Sequence, residues 1–293
     1  MCQYQTLINI NISHNHFSQT HIHMNGKDLK LEKLFSKGEN AVIVAFDHGL
    51  FDGPIPGMID LPKTAEKINP CVDGVLLSPG MLRHTRHAFN YKGAPMPIVR
   101  INWSTIYCFH WNYNRAVTVA LQQIEQAVAN GAEIVLISLT IGTGDENVDT
   151  QNVAVYTALM NEAAKLGIPV IGEFFPVSFG KLTPAQMHEQ VYSSCRIITE
   201  IGADMIKTFH THDFKKVTES NPLPIFGLGA EKTPTQLEAL KLAQKEIEDG
   251  CKGVVFGRNA IQVEKPQDFQ AALCDVVKRG MKAEDAVKKY NLV

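Results

Sequence analysis

Residues 201–208 read Ile-Gly-Ala-Asp-Met-Ile-Lys-Thr: a helix end, a glycine, then a short apolar run that finishes on a lysine. The same punctuation recurs in NGAEIVLIS (130–138), LGIPVIGEF (166–174) and DGCKGVVFG (249–257). A glycine just past a helix supplies the left-handed residue that closes it. A nearly unbroken apolar run after it suits a parallel strand buried on both faces. Working outward, the strand candidates are 42–46, 74–77, 97–101 and 133–139, then 169–174, 204–208, 224–227 and 253–256.

Helical patterns separate them. Residues 118–131 place Val119, Ile124 and Val128 on one stripe and end at Gly131, and 152–167 end at Gly167. Residues 183–202 open with Thr183 as N-cap and Pro184 at the first helical position, and Thr233 and Pro234 repeat that grammar over 233–250. Eight β units alternating with helices favour a closed (β/α)8 barrel, an α/β fold, in a single domain. A doubly wound dinucleotide fold would carry a G-x-G-x-x-G after its first strand, where this chain has DHGLFDGPIPG (47–57).

The 293 residues, 45% hydrophobic and 20% charged, are enough for one such barrel with a large core. A net charge of −2 with interspersed signs argues against a nucleic-acid partner and against a membrane surface. The six cysteines form no C-x-x-C pair, which suits a reducing, cytoplasmic setting better than a disulfide framework. Residues 1–23 contain no Lys, Arg, Asp or Glu and four histidines (His14, His16, His21, His23). They lack the basic and apolar regions of a signal peptide and read as an N-terminal extension, with the domain spanning 24–293.

A barrel carries its chemistry at the C-terminal ends of its strands. Those positions hold Asp47 and His48, Ser78, Asn102, Thr140, Glu173, Lys207, Gly229, and Gly257 with Arg258. Lys207 stands out, because a lysine within a core strand either faces outward between helices or points inward. Inward, its amine would be activated by desolvation or a neighbouring cation and could form a Schiff base. The glycine-bearing turns after strands seven and eight would form an anion nest from Gly229, Ala230, Gly257 and Arg258.

Four segments in order, AFDHGLFDGPIPG (45–57), GADMIKTF (202–209), GAEKTP (229–234) and GRNAIQ (257–262), resemble the DeoC/LacD-type class I aldolases. The likeness is strongest to the branch containing bacterial and archaeal fructose-bisphosphate aldolases, aminodideoxyheptulosonate synthase and the autoinducer-2 thiolase, and it covers roughly residues 28 to 290. It implies that Lys207 forms the Schiff base, that Asp47 contacts substrate near it, and that no cofactor or metal is needed. It also implies a phosphorylated ketose substrate, with Gly229, Ala230, Lys232, Gly257, Arg258 and His48 around it, and a homo-oligomer.

Two departures stand out. The family's G-G-x-K reads Gly229-Ala230-Glu231-Lys232, and the tyrosine acid/base of Y-P-R-G is replaced by Phe175. Glu173, two residues earlier on the strand, shares the interior face and is the expected proton-transfer residue, its pKa raised by burial. Three rivals remain: thiolase-like acyl transfer to coenzyme A on a phosphorylated pentanedione, an inactive sugar-phosphate sensor, and a metal-dependent aldolase using His48, His210 and His212.

Overall fold

The computed structural model describes residues 26–113 and 115–292; the expectations about residues 1–23 lie outside these. Eight parallel strands close into a barrel: β1 (Ala41–Ala45), β2 (Gly74–Leu77), β3 (Met96–Arg100) and β4 (Ile134–Leu139), then β5 (Val170–Phe174), β6 (Met205–Thr208), β7 (Ile225–Leu228) and β8 (Gly253–Phe256). Neighbours in sequence are neighbours in the barrel, and β8 pairs with β1 to close it.

Alternation along the strands sorts the core into two parts. Ile43, Ile98, Leu136, Ile171, Met205 and Phe226 fill the lumen, while Val42, Val44, Val99, Val135 and Ile206 face the helices. Leu34, from the helix Gly26–Leu34, and Phe35 pack against the lumen residues. Two positions beyond this apolar layer, or four on β1, the same parity delivers Asp47, Arg100, Ser138, Glu173 and Lys207, all buried, as a polar layer at the C-terminal mouth.

The helix punctuation holds at most ends. The helix Glu146–Leu166 closes on Gly167 (φ 56°), and Pro184–Ile201 starts from a Thr183–Gln186 capping box and closes on Gly202 (φ 108°). Two local readings change. Thr233 is not the cap of its helix: Thr235 is, paired with Glu238, and the helix runs Gln236–Glu248. Thr233 instead bonds to Asn259 and to the Thr235 carbonyl.

The stretch 118–131 is not one helix. Thr118–Ala120 forms a strand antiparallel to Asn102–Ser104, and only Ile124–Ala129 is helical. Val119 is therefore 46% exposed while Ile124 is fully buried, so the supposed stripe does not exist. Two apolar residues five apart fit a helix only if the residues between them are helical, and here they turn out of a strand. The excursion between the paired strands carries Tyr107 and Phe109 to the barrel mouth.

Candidate active site

A cavity of about 450 Å³ opens at the C-terminal mouth, lined by Asp47, His48, Arg100, Glu173 and Lys207 at its polar floor. Register explains the central pair: Glu173 on β5 is the Cα partner of Lys207 on β6, so both side chains enter the lumen side by side. Lys207 Nζ donates to Glu173 Oε1. Lys207 thus points inward, and the neighbour in contact with its amine is a carboxylate, not a cation.

Arg100 joins the two acids. Its Nε donates to Asp47 Oδ2 at 2.6 Å, and its Nη2 lies 2.6 Å from Glu173 Oε2. The guanidinium also sits 5.2 Å from the ring centroid of Phe51 and 4.9 Å from that of Tyr107. Tyr107 closes the network by donating its OH to Glu173 Oε2 at 2.7 Å. Buried charges persist only when paired in this way. Arg100 Nη1 is buried and without a partner in the protein, a donor left over for a bound oxygen.

The electrostatics differ from expectation at Glu173. Burial pushes its pKa up, but Arg100 and Lys207 outweigh that, and the net shift is downward. Glu173 is ionised, not a carboxyl raised toward neutrality. Asp47 is likewise raised by burial and lowered further by Arg100, Lys207 and His48, to about 2. Burial pulls His48 down to about 4 against the attraction of Asp47, so its ring is neutral at physiological pH. Burial, then the charge of Glu173, lift the Tyr107 phenol well above its ordinary range, so it keeps its proton.

At the β7–β8 side, Asn259 ties two turns together. Its Nδ2 donates to the carbonyls of Gly229 (2.7 Å) and Glu231 (2.8 Å), and its Oδ1 accepts from the Thr233 N–H at 2.8 Å. Gly229, Ala230, Gly257 and Arg258 all line the cavity. Gly257 opens the one-turn helix Arg258–Ile261, whose first N–H groups have no intrahelical acceptor. A Cβ at 257 would lie 2.2 Å from His48 Cε1, so glycine is what lets the ring approach. Ala230 holds φ 48° without being glycine, a left-handed conformation costing roughly 1–2 kcal/mol. Arg258 Nη2 donates to the Ala230 carbonyl at 3.0 Å, while its Nε is buried and unpartnered.

The remaining sequence candidates separate from this group. Lys232 is exposed and does not line the cavity. Asn102 bonds Ser138 and braces β4, and Thr140 donates to the Phe175 carbonyl; both are structural. His210 binds Asp249 and His212 packs on the His188 ring, so the pair does not converge. Among the described residues, no group of three His, Cys, Asp or Glu side chains could hold a metal. Arg100 and Tyr107 escaped the sequence reading. Arg100 was findable by parity, two residues beyond the inward Ile98; Tyr107, on a 3-10 turn, offered no such signal.

Comparison with known proteins agrees with this geometry. A model of the DeoC/LacD family aldolases matches residues 41–263. The chain belongs to the DeoC/LacD aldolase family. An uncharacterized aldolase of Saccharolobus solfataricus is 32% identical over 272 residues, covering 90% of this chain and 99% of the relative. A 3-hydroxy-5-phosphonooxypentane-2,4-dione thiolase of Yersinia pestis is 29% identical, covering 91% and 86%. A solved archaeal fructose 1,6-bisphosphate aldolase superposes with TM-score 0.74 at 26% identity, over 86% of this aldolase and 99% of that chain. A Schiff-base-forming fructose-1,6-bisphosphate aldolase gives 0.74 at 27% identity, over 86% and 100%. The aldolase is of class I, a carbon–carbon lyase. Among its described residues no helix is long and apolar enough to cross a membrane.

Proposed function

We propose that Lys207 is the imine-forming lysine of this aldolase and that its substrate is a phosphorylated ketose, as for the fructose-bisphosphate aldolases it resembles. The observation that carries the reading is the buried Lys207–Glu173 contact at the floor of the cavity, beside the β7–β8 turns.

Glu173 accepts the ammonium proton of Lys207, and the freed amine attacks the ketone carbon. Glu173 returns that proton to the carbinolamine hydroxyl, which departs as water and leaves an iminium with Glu173 ionised again. A proton on the β-hydroxyl passes to Glu173, the carbon–carbon bond breaks, and its electron pair flows to the iminium nitrogen, giving an enamine and a free aldehyde. Protonation at the enamine carbon and attack by water then release the ketone and Lys207. Tyr107, bonded to Glu173 and keeping its proton, relays protons between Glu173 and substrate oxygen, the task a phenol at position 175 would otherwise do.

Arg100 Nη1 receives the developing alkoxide, and Asp47 fixes the guanidinium. Ala230, Gly257 and Arg258 seat the phosphate through backbone N–H groups and a charge-assisted contact, while Gly229, whose N–H donates to the Val255 carbonyl at 3.1 Å, shapes the turn beside it. The enzyme is read as a cytoplasmic homo-oligomer of carbohydrate metabolism with its working domain in residues 24–293, and the five free cysteines among the described residues support a reducing setting.

Incubation with dihydroxyacetone phosphate and borohydride tests the assignment. Intact mass and peptide mapping should place a reduced adduct on Lys207, absent in Lys207→Met. Wild-type turnover by Lys207→Met would remove the reading. The Yersinia relative supports a second one, acyl transfer, for which product formation would depend on added coenzyme A.

A further inference from the structure

The cavity has two unlike ends. On the β7–β8 side it offers backbone turns and Arg258; the wall built by the loops after β3, β5 and β6 is aromatic. Phe175 is its centre, with ring centroids 4.7 Å from Tyr107, 5.1 Å from Phe209 and 5.3 Å from Phe179. Phe179 and Phe209 lie 4.7 Å apart, and Phe109 reaches 6.0 Å from Phe175. Phe175 and Phe209 are buried in the core, while Phe179 is only half-buried and Phe109 is 54% exposed, so packed core rings and open ones together line the cavity.

Charge points the same way. The lining carboxylates are Asp47, Asp52, Glu173 and Glu231; the lining cations are Arg100, Lys207 and Arg258. His48 adds nothing at neutral pH. Arg100 is held between Asp47 and Glu173, Lys207 is the imine-forming group, and Arg258 serves the β7–β8 turns. A substrate phosphorylated at both ends would bring its second dianion to a wall with four phenylalanines and no cation of its own. An unpaired charge pressed against the buried Phe175 and Phe209 rings is disfavoured.

We propose that the aldehyde half of the substrate is an uncharged aromatic aldehyde, seated on the Phe109–Phe175–Phe179–Phe209 wall. The inference rests on the imine reading above and narrows its substrate. Rings at tilted and edge-on angles leave complementary faces and edges for a further ring at 4.5–7 Å spacing. In the synthetic direction the enamine carbon forms the new bond to the aldehyde carbon. The carbonyl pair moves onto oxygen beside Arg100 Nη1 and takes a proton relayed by Tyr107, and water hydrolyses the iminium.

The test is aldol addition from dihydroxyacetone phosphate to benzaldehyde, propanal or glyceraldehyde 3-phosphate, with products quantified by mass spectrometry. Benzaldehyde should exceed each of the others at least tenfold in kcat/KM. Phe179→Arg, a loop substitution, should lower benzaldehyde use tenfold and raise that of glyceraldehyde 3-phosphate. Borohydride trapping of dihydroxyacetone phosphate without any aldehyde reports on the imine separately. No adduct on Lys207 sinks both readings. With the adduct present, equal or better use of either other aldehyde, no aryl product, or a Phe179→Arg effect equal on all aldehydes overturns the aromatic assignment alone.

Discussion

Arg100 Nη2 and Glu173 Oε2 lie 2.6 Å apart inside the barrel, where Arg100 is 2% and Glu173 1% exposed. This contact, with the second arm on Asp47, is what lets two carboxylates and a lysine share one buried floor. Arg100→Met should therefore destabilise the fold by about 3–5 kcal/mol, because it strands buried charge. Arg100→Lys should not restore it, since an ammonium cannot bridge both acids in one plane. Chemical denaturation of the three proteins checks this.

Tyr107→Phe and Glu173→Gln should each lower kcat by ~10²–10⁴-fold. Tyr107→Phe should still yield the borohydride-trapped adduct, because its loss affects proton delivery more than amine attack. The acid limb of the wild-type rate profile should fall below the ordinary carboxylate range, Glu173 being held down by Arg100 and Lys207. A normal kcat in Tyr107→Phe would show that the phenol carries no proton.

Arg258→Ala should weaken phosphorylated ketoses far more than their unphosphorylated analogues, a charge-assisted bond contributing about 1.5–3 kcal/mol. Comparative kcat/KM for the two substrate types decides it, and equal losses would place the phosphate elsewhere.

His48 and Glu246 should give opposite pH slopes. His48 falls from 6.5 to about 4 on folding, chiefly by burial, so below pH 6.5 the unfolded chain binds a proton that the native state refuses. Its stabilisation is complete above pH 6.5 and is lost as pH falls toward 4, by about 3 kcal/mol. His48→Gln should flatten that slope in melts at pH 7 and pH 5.

Glu246 is fully buried against Gly227 with neither carboxylate oxygen partnered in the protein, and burial raises its pKa far up. Here the unfolded chain loses its proton first, so stability is full below the ordinary glutamate pKa and drains as pH rises. Glu246→Gln should gain thermal midpoint over wild type at pH 8 and little at pH 5; an equal difference at both would contradict a protonated native carboxyl.

How much of this was legible in the sequence depended on the range of the signal. Caps such as Thr183 and Gly202 are local chemistry and were readable. Lys207 and Glu173 were readable because each interrupts an apolar run. Thr118–Ala120 was misread because three residues of strand carry no period, and only pairing with Asn102–Ser104 defines them. The fall in the pKa of Glu173 was hidden because it depends on Arg100 from two strands away, a contact across the lumen. The aromatic wall collects residues 109, 175, 179 and 209 from three loops, and no spacing rule links those loops.

Asn259 gives the two ends of the mouth different stiffness. By pinning Gly229, Glu231 and Thr233 through one buried amide, it makes the donor end a fixed part, braced independently of the aromatic loops. Among the described residues, no hydrogen bond ties residues 105–113 or 175–180 to those turns. Substitutions there can change which aldehyde is accepted while the ketone half keeps its seat. Such a division lets substrate scope drift along a lineage while the carbon–carbon chemistry stays in place.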